Sequence, residues 1–247
     1  MRKVIYFLVF SIFIGGCSTR SPSKESANFE ADYQEEEINQ DPWEGFNRSI
    51  FTFNDGLDRY LLKPVAQGYR LITPGFVDDG ITSFFDNLKE PLVIVNDVLQ
   101  GKFFQAGQDT LRFIVNSTIG VYGLFDVASK ISMPAHDEDF GQTLGYWGVP
   151  SGPYVMLPFL GPTTVRDGLT IPADGYLNLI REFHPEADRS AMAITDIIDG
   201  RADLIPFEQA LTGDRYIYIR EAYLQTREYD VQDGEVEDTF GDDDEDY

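Results

Sequence analysis

The residue types that most often carry out chemistry in enzymes are scarce in this chain of 247 residues. Its two histidines, His136 and His184, have no second histidine or cysteine nearby at the spacing of a zinc site. The motifs of serine hydrolases, zinc metalloproteases and nucleotide-binding loops do not occur in the sequence. The run at 136–139 joins a histidine to three carboxylates, but such runs are most often solvated loops. The sequence therefore predicts no enzymatic activity, no metal and no cofactor.

The one cysteine, Cys17, lies directly after an N-terminal export signal. Two basic residues, an apolar run at 4–14 and two glycines precede it, which is the pattern of a secretory signal peptide rather than of a membrane-spanning helix. The segment Ile14-Gly15-Gly16-Cys17 resembles the bacterial lipobox, in which the thiol and the new N-terminus are acylated. We therefore predict a signal peptide at 1–16 and an acylated Cys17. An ordinary signal peptide with an incidental cysteine is the alternative.

Acylation of Cys17 has consequences for where the protein lies. Two or more acyl chains make a stable membrane anchor, because each buried methylene contributes about 0.8 kcal/mol. A single cysteine excludes an intramolecular disulfide. Ser18, and not aspartate, follows the cysteine, which by resemblance to bacterial sorting signals favours the outer membrane.

The charge is strongly acidic and unevenly distributed. The chain has 42 acidic and 19 basic residues, with a formal net charge of −23. Both ends of the mature chain are rich in carboxylates and poor in apolar residues, which predicts a disordered tether at 17–40 and a disordered acidic tail at 228–247. The part between them, 41–227, is long enough for one domain with a substantial core. The sequence has no basic stripe, so we do not expect nucleic acid as a partner.

Apolar residues in the central part recur mostly at steps of three and four, which predicts a mainly α-helical domain. Asp41 and Pro42 form a good helix start, with Asp41 as the N-cap. Glu90-Pro91 separates two predicted segments, and Gly101 ends the second. Further helices are predicted at 102–116, 187–204 and 214–229. The stretch 134–172 is rich in glycine, proline and aromatic residues and predicts an irregular connection, either functional or merely well packed.

The helices are amphipathic, which allows two arrangements. Their apolar faces can form the core of a soluble protein, or they can lie in the plane of a bilayer and contact acyl chains. No apolar segment after Cys17 approaches the length of a membrane span.

Several separate motifs follow one another through the central part, from Asp41 to about Arg227. They include Asp41-Pro42-Trp43-Glu44-Gly45-Phe46-Asn47-Arg48, Asn87-Leu88-Lys89-Glu90-Pro91, Asn116-Ser117-Thr118, Phe140-Gly141-Gln142-Thr143-Leu144-Gly145-Tyr146-Trp147-Gly148-Val149 and Arg220-Glu221-Ala222-Tyr223. In these motifs and in their order, the central part is similar to the MlaA/VacJ family of outer-membrane lipoproteins. The acidic tail lies outside the resemblance.

The resemblance implies a ring-like helical domain embedded in the inner leaflet of the outer membrane. It implies passive removal of phospholipids that are misplaced in the outer leaflet, their transfer to a periplasmic MlaC-like carrier, and association with trimeric porins. A lipoprotein that only scaffolds porins and a lipid-modifying hydrolase are the alternatives.

A polar conduit would lower the cost of moving a charged head group through hydrocarbon. Irregular backbone at membrane depth has to be buried or wetted, so the stretch 134–172 is a candidate rim or gate. The predicted lining residues are Asn47, Phe53, Asn54, Asn87, Asn116 and Tyr146. Each asparagine can instead be a helix cap or a turn residue.

Overall fold

The computed structural model describes residues 41–210 and 213–234, and these are mostly helical, as predicted. The predicted signal peptide at 1–16, Cys17, the predicted tether and the part of the predicted tail from residue 235 onward lie outside the described residues. The part of the chain that is described contains no helix long and apolar enough to cross a membrane.

The first helical run is continuous but contains a wider turn. Its parts are α1 (Glu44–Leu57), a π-helical turn (Asp58–Leu62) and α2 (Lys63–Ile72). The predicted cap is wrong, because Trp43 occupies the N-cap position and makes no capping hydrogen bond with its side chain. The carboxylate of Asp41 is instead buried, and it accepts hydrogen bonds from Asn47, Tyr216 and Arg220.

The next two helices form a long pair. They are α3 (Gly75–Gln100) and α4 (Phe103–Thr118), which pack against each other. The predicted break at Glu90-Pro91 is wrong, because Pro91 lies inside α3. Proline in a helix interior costs about 3 kcal/mol, but buried side chains on both sides of it hold the helix in one piece. Gly101 ends α3 in the left-handed conformation, as predicted.

The glycine- and proline-rich stretch is more regular than predicted. It contains α6 (Phe140–Tyr146) and a hairpin of β1 (Tyr154–Leu157) and β2 (Gly161–Thr164), after a short α5 (Val127–Lys130). The strands pair antiparallel, with Tyr154 opposite Thr164. This hairpin replaces the predicted irregular connection at this point.

The rest of the described chain is helical. It comprises α7 (Val165–Leu177), a 3-10 turn (Leu179–Glu182), α8 (Glu186–Leu204), a second 3-10 turn (Ile205–Ala210) and α9 (Arg215–Val231). The predicted helices at 187–204 and 214–229 correspond to α8 and α9. Because α9 continues to Val231, the predicted boundary between the domain and the tail at 227 falls inside a helix.

Most of the large buried apolar side chains among the described residues fall in two small clusters. Phe85 and Leu88 of α3 pack on Ile180, while Tyr154 and Met156 of the hairpin pack on Tyr216 of α9. The second cluster fixes the hairpin between α1 and α9, where an open cleft lies.

Candidate functional site: an apolar cleft with a charged mouth

The polarity of the helices is reversed relative to a helical protein in water. More polar and charged side chains than apolar ones are buried in the described chain, and large apolar side chains are exposed on most helices. Proteins in water bury mainly apolar residues and bury charges only when they are paired. Apolar outer faces around a polar interior are expected when the outer surface contacts lipid.

Helix α4 shows this reversal clearly. Asp109, Arg112 and Asn116, three or four residues apart, are its buried polar side chains. The large side chains that it exposes are all apolar, namely Phe103, Phe104, Leu111 and Ile114. Because residues at this spacing share one face of a helix, the inward face is polar and the outward face is apolar.

An open cleft of about 550 Å³ lies between α1, the hairpin, the end of α8 and the start of α9. Its volume is in the range of small-molecule sites, roughly 300–1,000 Å³. Its body is mainly apolar. The apolar lining comprises Phe51, Met156, Leu160, Pro162, Leu204, Phe207, Tyr218 and Ile219.

Charged side chains form one end of this cleft, which we call the mouth. The mouth comprises Asp55, Asp58, Arg201, Glu208 and Arg215 of the cleft, together with Arg59 and Lys63 of a smaller cavity beside it. All of these residues except Arg201 line the smaller cavity. Arg201 holds Asp58 through two hydrogen bonds, from Nε to Oδ1 at 2.6 Å and from Nη2 to Oδ2 at 2.9 Å. Lys63 donates to Glu208 at 2.5 Å, and Arg59 donates to Asp55 at 2.7 Å.

These pairs keep the mouth charged at neutral pH. Hydrogen bonds to Asp58 raise the pKa of the Arg201 guanidinium above its ordinary value. Burial alone would raise the pKa of Glu208, but hydrogen bonds from Lys63 and Arg201 outweigh burial and lower it. The mouth is therefore a network of ion pairs beside an apolar cavity. This arrangement suits an amphiphilic ligand, which has one charged end and one apolar end.

A second, polar cavity of about 330 Å³ lies between α3, α4 and the segment before α6. Two of the predicted conduit residues, Asn87 and Asn116, line it together with Glu90, Arg112 and other charged side chains. Asn87 donates to the Ser117 hydroxyl at 3.0 Å, and Asn116 donates to Asp126 at 3.1 Å. Both asparagines therefore face a polar space and also connect neighbouring segments.

The other predicted asparagines belong to the hairpin region. Asn47 is fully buried, donates to Asp41 and to the Tyr154 carbonyl, and accepts from the Met156 amide at 2.9 Å. Asn54 donates to the Leu157 carbonyl at 2.9 Å and lines the apolar cleft. Both side chains attach α1 to the hairpin, a structural role that does not require a conduit.

The two aromatic candidates are half-exposed. Phe53 lies next to Asn54 and packs edge to face on Phe159, with 5.3 Å between the ring centres. Tyr146 is at the end of α6, where the Lys102 ammonium lies 5.8 Å from its ring centre. The structure thus does not bring the six predicted residues together in one lining, and their conduit role stays a prediction.

The run at 136–139 is not a solvated loop, contrary to the prediction. Glu138 is buried and accepts from Gln100 and Lys102, both at 2.7 Å. Asp139 caps α6 and receives two hydrogen bonds from Arg227. Partners far away in sequence therefore neutralise carboxylates that look solvent-exposed in the sequence.

Sequence reasoning missed the mouth. The spacing of Asp55 and Arg59 is a visible helix pair, but the pairs of Arg201 with Asp58 and of Arg215 with Asp55 link α1 and the π-helical turn to residues 143 and 160 positions later. No local pattern indicates such pairs.

Comparisons of the sequence with known proteins find a family and relatives for this chain. A family model described as MlaA lipoprotein matches residues 39–230. The protein of Escherichia coli (strain K12) named intermembrane phospholipid transport system lipoprotein MlaA is 37% identical over 202 residues, which are 79% of this chain and 80% of that protein. An uncharacterised protein of Rickettsia felis is 39% identical over 197 residues, 78% of each chain.

A solved structure gives the same result for the fold. It comes from work on the structural basis for maintenance of bacterial outer membrane lipid asymmetry, and it superposes with a TM-score of 0.69 at 36% identity. The match covers 77% of this chain and 98% of that chain. With the family model spanning most of its length, the chain belongs to the MlaA lipoprotein family.

Proposed function

We propose that this protein is an outer-membrane lipoprotein that removes phospholipids misplaced in the outer leaflet and passes them towards the periplasm, maintaining the lipid asymmetry of the membrane. The observation that carries the proposal is the cleft, whose apolar body adjoins a charged mouth. The names of the relatives support the same function.

The cleft suits a phospholipid for physical reasons. A phospholipid has two apolar chains and a charged head, and moving that head through hydrocarbon is costly unless polar groups accompany it. The apolar lining contacts acyl chain while the mouth contacts the head. The sequence contains no nucleotide-binding loop, which favours transfer that is passive rather than driven by ATP.

The apolar outer faces favour a position within one leaflet. Helices with such faces lie in the membrane plane, with the apolar side in the acyl region. Together with the acyl chains on Cys17, this supports a position in the inner leaflet of the outer membrane. The family resemblance adds a soluble MlaC-like carrier and trimeric porins as partners.

Two matched variants test the cleft. Leu204 lines it and Ile194 does not, although both are on α8 and are 58% and 57% exposed. Each would be replaced by asparagine in a strain that lacks the native gene. We expect the deletion to raise outer-leaflet phospholipid and detergent sensitivity. Ile194→Asn should restore the wild-type state, and Leu204→Asn should not.

Surface labelling of phospholipid amines measures the phospholipid in the outer leaflet. Quantitative immunoblotting checks that both variants are present in equal amounts. Unchanged asymmetry in the deletion strain would contradict the transport function and favour the scaffolding role. Full rescue by Leu204→Asn would contradict the assignment of the cleft.

A further inference from the structure

We infer that Arg201 and Arg215 bind the phosphate of the phospholipid whose acyl chain occupies the apolar cleft. This inference rests on the proposed function and goes further by assigning residues to one chemical group of the lipid.

Arg201 presents an unused donor at the cleft. Its Nε and Nη2 atoms hold Asp58, and Nη2 also donates to Glu208. The third nitrogen, Nη1, is buried and has no hydrogen-bond partner within the described residues. A buried donor without a partner is costly, and Arg201 lines the cleft. A phosphate oxygen at the mouth would satisfy Nη1 without breaking either existing ion pair.

Arg215 lies in the lining of the same mouth, at the start of α9. Its Nη1 atom donates to Asp55. A guanidinium has five N–H donors in a rigid fork, so this ion pair uses only part of its capacity. Arginine forks bind phosphate in a bidentate manner. Two guanidinium groups at one end of an apolar cavity are a suitable site for a phosphodiester.

The carboxylates of the mouth already have partners. Asp55, Asp58 and Glu208 each accept hydrogen bonds from cations of the mouth. The cleft itself has two cations and these three carboxylates, so the unused guanidinium donors, and not the net charge, favour an anion. Arg201 and Arg215 both line the cleft beside its apolar body, which is where the phosphate of a bound phospholipid would lie.

The test compares lipids that differ only in the phosphate. The full mature chain is solubilised with a non-ionic detergent in phosphate-free buffer and titrated with dioleoyl phosphatidic acid or with dioleoylglycerol, and bound lipid is counted by native mass spectrometry. We expect the wild type to prefer the phospholipid by at least about tenfold, because hydrogen bonds to charged groups are among the strong ones.

Three variants assign the preference to the mouth. Arg201→Lys keeps the charge but removes the Nη1 donor, and Arg215→Gln removes the second guanidinium. Arg48→Gln is the matched control, because Arg48 is also ion-paired and its side chain is 38% exposed against 39% for Arg215, but it does not line the cleft. We expect the preference to fall several-fold in the first two variants and to be unchanged in the third.

Each failure has a separate meaning. If neither the wild type nor any variant binds either lipid, the proposed function fails together with the inference. If the wild type binds both lipids equally, or if Arg201→Lys and Arg215→Gln keep the preference, lipid binding stands and the phosphate assignment is overturned. If inorganic phosphate at millimolar concentration displaces the phospholipid, the mouth is a site for free anions, which also overturns it.

Discussion

Asp97 and Asp109 are fully buried carboxylates on the paired helices α3 and α4. Gln105 donates to Oδ1 of Asp97 at 2.8 Å, and Oδ2 has no hydrogen-bond donor among the described residues. Burial, and then the hydrogen bond and charge of Asp109, raise the pKa of Asp97 to about 8. Burial also raises the pKa of Glu90, two turns away on the same face of α3, to about 7. The polar interior therefore keeps a proton on Asp97 at neutral pH and leaves Glu90 about half protonated.

These protons predict that stability falls as pH rises. In the unfolded chain Asp97 loses its proton near pH 4, but in the folded protein it keeps the proton up to about pH 8. The folded state binds more protons between these values, so the free energy of unfolding decreases over that window. Asp97→Asn keeps an oxygen for Gln105 and adds a donor for Asp109. The substitution should make the free energy of unfolding decrease less steeply with pH. It should also stabilise the protein at pH 8 by at least about 1 kcal/mol.

Thermal unfolding in detergent between pH 5 and pH 9 measures this effect. Asp126→Asn is the control with the opposite sign. Burial alone would raise the pKa of Asp126, but hydrogen bonds from Ser129 and Asn116 lower it. This substitution should reduce stability across the whole range and leave the slope as it is. Parallel curves for the wild type and Asp97→Asn would contradict the retained proton on Asp97.

Substitution of Asn47 distinguishes a structural role of this side chain from a role in a lipid conduit. Its three hydrogen bonds to Asp41, Tyr154 and Met156 are all buried. Asn47→Leu leaves the Asp41 carboxylate and the Met156 amide short of a partner, and we expect it to cost about 3 kcal/mol of stability. Ser49→Ala, which loses only a bond to its own helix, should change stability little. An unchanged melting temperature with abolished lipid transport would instead favour the conduit.

At the scale of elements, periodicity predicted most helices correctly, because apolar and polar faces alternate whether the apolar face meets core or lipid. The continuity of α3 through Pro91 could not be predicted from the local sequence. Asn87, Asn96 and their neighbours are buried along one continuous helix, and their contacts override the penalty of proline. The β1–β2 hairpin and the mouth depend on contacts between distant segments. Asn47 and Asn54, for example, hold the hairpin through backbone atoms more than 100 positions away.

The same substitution should have different effects at Gly107 in α4 and at Gly120 just after it. A Cβ on Gly120 would lie 2.2 Å from the Phe125 carbonyl oxygen and 2.5 Å from that of Asn116, whereas a Cβ on Gly107 would meet nothing within 4 Å. Gly120→Ala must displace backbone and should cost more than about 2 kcal/mol. Gly107→Ala should be neutral or stabilise the helix by about 0.5–1 kcal/mol. Urea unfolding followed by circular dichroism measures both. Equal effects would contradict the close packing after α4.

For the molecule as a whole, the reversed polarity predicts that the protein surface binds lipid in addition to the predicted acyl anchor. Apolar helix faces of this extent are not stable in contact with water, and their affinity for lipid does not depend on Cys17.

A non-lipidated chain of residues 18–247 should therefore still need detergent and should float with liposomes in a density gradient. Replacing Phe103 and Phe104, which are among the most exposed side chains of α4, by glutamine should lower the partition coefficient onto liposomes by about 100-fold or more, because each buried aromatic side chain contributes roughly 1.5–3 kcal/mol. The matched control, Thr110→Gln and Thr118→Gln at exposed positions of the same helix, should float like the parent chain. A non-lipidated chain that is monomeric in plain buffer and stays at the bottom of the gradient would show that these faces do not contact acyl chains, and the lipid-facing interpretation of the helices would then be wrong.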